Sequence, residues 1–217
     1  MFKKLIVALA ATTAMAAPAV AEIEIDMYLG GEQPNSSNIS GSHPAIGDFD
    51  ATIDWDGKSD VMPPYYGTRA VYWRPDNIGF GLEFSHNKAY APDAQMAANG
   101  FDRLEFTDGH NLITLNVMKR WPGQWDRWTP FIGAGVGVAV PHVDIQPTGG
   151  PHTLGYQVTG PALRLLAGAR YQINDHWSIF GEYQFTWSDN KVDLDGGGTL
   201  STTLNSNAFN IGIGYAF

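Results

Sequence analysis

Large apolar residues and small or polar ones alternate with a period of two through most of the chain, in segments of roughly ten residues. The cleanest segment runs from Asn207 to Phe217, where Phe209, Ile211, Ile213, Tyr215 and Phe217 take turns with Asn210, Gly212, Gly214 and Ala216. Period two is the repeat of a β-strand, whose successive side chains point to opposite faces. The same reading predicts strands at Glu22 to Gly30, Tyr66 to Arg74, Ile78 to His86, His110 to Trp121, Thr129 to Val140, Gly160 to Gln172 and Trp177 to Ser188. In the first of these, Ile23, Ile25, Met27 and Leu29 share one face and Glu24, Asp26 and Tyr28 the other. Only Tyr66 to Arg74 reads equally well on either face; turning the charge of Arg69 inward sets Tyr66, Thr68, Ala70 and Tyr72 outward.

Strands with one greasy face and one small or polar face suit a wall with lipid outside and packed side chains inside. The fold class expected is all-β: an eight-stranded, antiparallel, up-and-down transmembrane β-barrel with long extracellular loops, in the bacterial outer membrane. No stretch offers about twenty consecutive apolar residues, so the membrane signal lies in strands. Eight strands leave an interior filled by side chains, and no pore is expected. Short connections at Pro75-Asp76-Asn77, Trp121 to Trp128 and Asn174-Asp175 alternate with long ones at Gly31 to Tyr65, Lys88 to Gly109, Pro141 to Thr159 and Asp189 to Ser206. The short turns belong to the periplasmic side and the long loops to the outside, with Trp121, Trp125 and Trp128 as an interfacial aromatic belt.

Composition agrees. Met1 to Ala21, with Lys3 and Lys4, an apolar run from Leu5 to Ala17 and Ala19-Val20-Ala21, reads as a signal peptide, leaving residues 22–217 as the barrel domain. Its loss removes two lysines and takes the formal charge from −9 to −11. Such an acidic chain is a poor partner for nucleic acid. The chain has no cysteine, which excludes disulfides, Cys-ligated metals and thiol nucleophiles. Phe217 matches the terminal aromatic by which outer-membrane barrels are recognised for insertion.

Inward parity gathers Glu83 and Glu182 with Arg164, Arg170 and Arg69, either as a structural salt-bridge network or as a functional lumen. Gly133-Ala134-Gly135-Val136-Gly137 is not a dinucleotide fingerprint, since its third glycine falls early and no helix follows. His43, His86, His110, His142 and His152 fall at or beyond the extracellular rim, and His176 at the opposite end. His86, His110 and His142 top three consecutive strands, with His110 inward and the other two outward by alternation. They are either polar residues at headgroup level or an acid-base or metal site completed by Asp102, Glu105 and Asp108. Pro141, Pro147, Pro151 and Pro161 either stiffen an exposed loop or leave the strand pair there loosely zipped, as a lateral opening. Asp189 and Asp193 to Gly198 form either a hard-cation loop or an acidic turn.

Gly100 to Asn111, together with Gly81 to Tyr90, Val140-Pro141-His142-Val143 and Asp193-Leu194-Asp195-Gly196-Gly197-Gly198, resembles the outer-membrane lipid A oxidase family of alphaproteobacteria. The resemblance implies oxidation of the proximal glucosamine of lipid A to 2-aminogluconate with dioxygen, and lipopolysaccharide of the outer leaflet as partner. Dioxygen reacts slowly with a sugar unless a metal or organic cofactor mediates, and no flavin or nicotinamide site is visible. A divalent or transition metal held by His110, with His86 or His142 and Glu105 or Asp108, is the centre expected on that reading. The alternative is a structural or surface-interaction barrel without catalysis.

Overall fold

A computed structural model describes residues 21–217, apart from the side chain of Thr107. The signal-peptide segment lies outside the described residues except for Ala21. Eight strands close a barrel: β1 (Glu22–Pro34), β4 (Tyr66–Trp73), β5 (Ile78–Tyr90), β6 (Phe101–Arg120), β7 (Trp128–Pro147), β9 (Gly160–Gln172), β10 (Trp177–Asp193) and β11 (Thr199–Ala216). Every pairing is antiparallel, and β1 meets β11 from Glu24↔Ala216 to Pro34↔Ser206, which removes the sheet edge. The alternation is realised as expected: Leu29, Leu115, Val136, Phe209 and Ile211 lie exposed on the outside, while Arg69 is fully buried and settles the face of β4. Trp121, Trp125, Trp128 and Trp177 ring the short-turn end.

The lumen is a packed core. Arg69 reaches Asp26 (3.1 Å), Glu83 (3.4 Å) and Glu182 (2.9 Å); Arg170 reaches Glu24 (2.8 Å) and Asp26 (2.9 Å); Arg164 pairs with Glu83 and donates to the Tyr28 hydroxyl at 3.1 Å. Phe131 and Phe180 pack on Arg69 and Arg170, so the charges are tied together within an aromatic shell that also holds Trp73 and Leu166.

The long connections are more ordered than their composition suggested. Inside Gly31 to Tyr65 lie β2 (Ser37–His43) and β3 (Gly47–Ile53), a hairpin that pairs with the upper end of β11 at Ile39↔Thr202 to Ser42↔Thr199. The expected Lys88 to Gly109 loop is mostly strand, with β5 reaching Tyr90, a short helix α1 (Asp93–Ala98), and β6 beginning at Phe101. Strand β7 runs past Pro141 to Pro147 and carries β8 (Thr153–Tyr156) at its side. Proline is tolerated at 141 because its neighbour β6 bulges between Phe106 and His110, where ladder bonds are already interrupted. These extensions enclose a second apolar core above the lumen, including Ile39, Trp55, Phe101, Leu104, Ile145 and Leu200.

Two further expectations resolve here. The β7–β9 seam stays zipped beyond Ala139↔Gly160 through Thr159 N–H to Ala139 O (3.0 Å) and Gln157 N–H to Pro141 O (3.1 Å), so the prolines open no gate there. Asp193 to Gly198 is the β10–β11 turn: Gly196, Gly197 and Gly198 take positive φ, and the Asp195 carbonyl is bonded by His43 Nε2 at 2.9 Å.

Candidate site on the outer rim

The bulge in β6 organises the rim. Between Phe106, paired with Val143, and His110, paired with Pro141, three residues of β6 face the single residue His142 of β7. On the other side they face only Lys88 of β5. The extra backbone is pushed outward and carries Asp108 with it. Gly109 makes the turn possible: its φ is +101°, and a Cβ there would come within 2.4 Å of both His86 Nδ1 and Asn111 Oδ1. The imidazole of His86 therefore lies over bare backbone.

His86, Asp108, His142 and Glu105 lie on the outer face of the wall, above the apolar band. His142 Nδ1 stands 3.7 Å from Asp108 Oδ2, and its ring meets Tyr156 edge-on at 4.7 Å. His86 stacks on Tyr66 at 5.2 Å and is oriented by Asn111 Oδ1 at 3.0 Å from its Nδ1. His86 Nε2 and His142 Nδ1 are both buried without a hydrogen-bond partner. One row higher, Glu105 is paired across the ladder with Asp144, which accepts from His152 Nε2 at 2.5 Å. Glu105 is ion-paired with Arg103, yet burial pushes its carboxyl above the ordinary carboxylate range, against the pull of Arg103. With Lys58, Tyr90, Asp93 and Asp102, these two residues line a polar pocket of about 390 Å³.

His110 does not join them. Its side chain points into the barrel, where Nε2 lies 3.0 Å from Ser188 Oγ and 3.1 Å from Asn190 Oδ1. The metal centre expected from His110, His86, His142, Glu105 and Asp108 is corrected accordingly: the wall separates His110 from the others. Among the described residues no three His, Asp or Glu side chains converge closely enough to hold an ion. Alternation puts His110 inward, and it stays inward because the register from His110 to Arg120 is unbroken and the bulge begins only beyond it. His152, placed at the rim by the sequence, joins the rim group; Asn111, Tyr66, Tyr156 and Asp144 complete the rim and were missed, because single aromatic, amide or loop residues carry no spacing signal. Both imidazoles can take up or release a proton, and an oxygen-rich group reaches their buried nitrogens only when the side chains over them move aside.

The sequence profile of the outer membrane protein beta-barrel domain family matches residues 6–217. Among solved structures, that of outer membrane protein AlkL in DMPC lipid bilayers, from solid-state NMR, is 12% identical, covering 100% of this chain and 97% of that one with a TM-score of 0.57. The crystal structure of Neisserial surface protein A is 14% identical, covering 91% of this chain and 97% of that one with a TM-score of 0.50. No curated protein matches the chain significantly in sequence. At these identities the structural likeness shows the fold alone.

Proposed function

The chain belongs to the outer membrane protein β-barrel family and resides in the bacterial outer membrane, and from that premise we propose that it acts on lipid A, oxidising the proximal glucosamine to 2-aminogluconate as its sequence resemblance implies. The observation that supports this reading is the pair of unpartnered imidazole nitrogens, His86 Nε2 and His142 Nδ1, flanking Asp108 on the outward face. A buried polar atom without a partner is costly, and such atoms ask for an explanation. On this reading the sugars of the outer leaflet lie beside them.

In the oxidation, the anomeric carbon and its hydroxyl give up two electrons and two protons, forming a lactone. Dioxygen is the final acceptor, forming hydrogen peroxide through a redox mediator that the rim side chains do not themselves supply, and water opens the lactone to the acid, a net gain of one oxygen. His142, with Asp108 beside it, is the base for the hydroxyl proton. His86, held by Asn111, orients the ring oxygen side, and the pocket of Arg103 and Glu105 takes the neighbouring polar groups. The donor set does not fit a resident metal, and no step is routed through one.

Expression in a bacterium that lacks the modification and whose lipid A carries a free anomeric hydroxyl tests the reading. An air-dependent gain of one oxygen on lipid A is the expected result. Unmodified lipid A from a correctly folded barrel rejects it in favour of a non-catalytic structural barrel, to which the sealed lumen and cap are equally suited.

A further inference from the structure

The lipid-facing wall is not uniformly ridged. On β7 the outward residue Ala134 sits between Val117 of β6 and Leu165 of β9, its partners on either side. One step up, Val136 is flanked by Leu115 and Leu163. The short side chain at 134 leaves a depression, and Phe185 and Trp187 of β10 raise its far bank. The result is an almost wholly apolar groove of about 570 Å³ on the outside of the barrel.

Its position fixes its occupant. The groove lies within the apolar band, where an acyl chain is the available partner. It is also on the wall that carries the rim site. Val136 and His142 share the outward face of β7, six residues apart, which is roughly 20 Å along a strand. At the ~40° tilt of such barrels this is about 15 Å of depth, or half of a ~30 Å hydrocarbon core. A lipid of the outer leaflet with a chain in the groove therefore has its headgroup at the level of His142.

We propose that this groove is the acyl-chain subsite for lipopolysaccharide, holding one chain of lipid A while its sugars meet the rim. The proposal rests on the rim being a lipid A site for the identity of the lipid. The groove supplies what the rim lacks, an anchor that keeps a laterally diffusing substrate in one orientation, so that the reacting group stays in place.

The full barrel, extracted from lipopolysaccharide-containing outer membranes in mild detergent, provides the test. Native mass spectrometry is expected to show a lipopolysaccharide adduct on the wild type and on Ala169→Trp, an outward substitution outside the groove. Ala134→Trp fills the depression and is expected to lose the adduct, with normal heat-modifiable migration as the check on folding. Should that variant fail to fold, a photoreactive benzoylphenylalanine at Phe185 is expected to cross-link co-purified lipopolysaccharide, and the same group at Met27, exposed on β1 across the barrel from β7, is not. Equal adducts on both tryptophan variants, equal cross-linking at both positions, or phospholipid alone on the wild type overturns the subsite. Lipid A from the same cells separates this failure from that of the enzyme. Bound lipopolysaccharide without oxygen gain keeps the groove and rejects the oxidase, whereas undiminished oxidation with the groove filled does the reverse.

Discussion

In the lumen Arg69 touches three carboxylates; at the rim His142 stands 3.7 Å from one. Both regions combine basic and acidic side chains, but the lumen is enclosed by the barrel wall, and a charge there is held by pairing because water cannot reach it. The rim adjoins headgroups and solvent, yet His86 Nε2 and His142 Nδ1 are themselves buried there without a partner, so a group that reaches them must first displace the side chains over them. Charges in the lumen are paired even though single atoms such as Arg164 Nε, Asn116 Oδ1 and Asn210 Oδ1 find no hydrogen bond, whereas at the rim the unpartnered atoms belong to imidazoles that can take up or release a proton.

The comparison breaks most forcefully at Arg69. Arg69→Met strands Asp26, Glu83 and Glu182 and is expected to cost about 3–5 kcal/mol, read as an earlier urea midpoint in the gel-shift assay of folded barrel. A variant as stable as wild type shows that the lumen charges do not depend on each other. At the rim the expectation reverses. Asp108→Asn and His142→Gln leave that midpoint within about 0.5 kcal/mol of wild type while lowering the yield of oxidised lipid A by roughly 10²-fold. Undiminished oxidation in both removes the rim from the mechanism.

Gly109→Ala joins the two halves of the argument. The positive φ costs about 1–3 kcal/mol in a non-glycine residue, and the new methyl displaces His86, so oxidised lipid A is expected to fall in a barrel that still folds. His110→Ala sharpens the boundary from inside: it removes contacts to Ser188 and Asn190, costs about 1–2 kcal/mol, and leaves oxidation intact. Loss of oxidation at unchanged stability moves the site into the lumen. The smallest effect concerns Glu105. Its folded pKa is raised, so the stabilisation belongs to the protonated form, is complete below the ordinary carboxylate range and fades as pH rises through the folded value. Amide protection factors at the upper end of β6, corrected for the intrinsic pH dependence of exchange, are expected to rise on mild acidification, and in Glu105→Gln to become independent of pH over that window.

The barrel was legible because period two is a strong, repeated signal, and because Arg69, Glu83 and Glu182 could lie only inward. The ordered cap was not: Ser37 to Ile53 has the polar, glycine-containing composition of a loop, and it becomes a hairpin only by pairing with β11, a partner far away in sequence. The site was half legible. His86 and His142 were found from their place at the strand tops, Glu105 and Asp108 from the loop beside them, and the four do share a face. Their geometry depended on a bulge between Phe106 and His110 that no local pattern announces, whereas His110, in unbroken register below it, faces inward as alternation predicts.

The hairpin of β2 and β3 has a consequence for the order of assembly. It emerges from the first strand of the barrel but finds its ladder on the last, at Thr199 to Thr202. A contact so distant along the chain forms slowly and late. The cap cannot finish before β11 is in place, so its completion acts as a timer, and the outer surface matures only after the wall beneath it has closed.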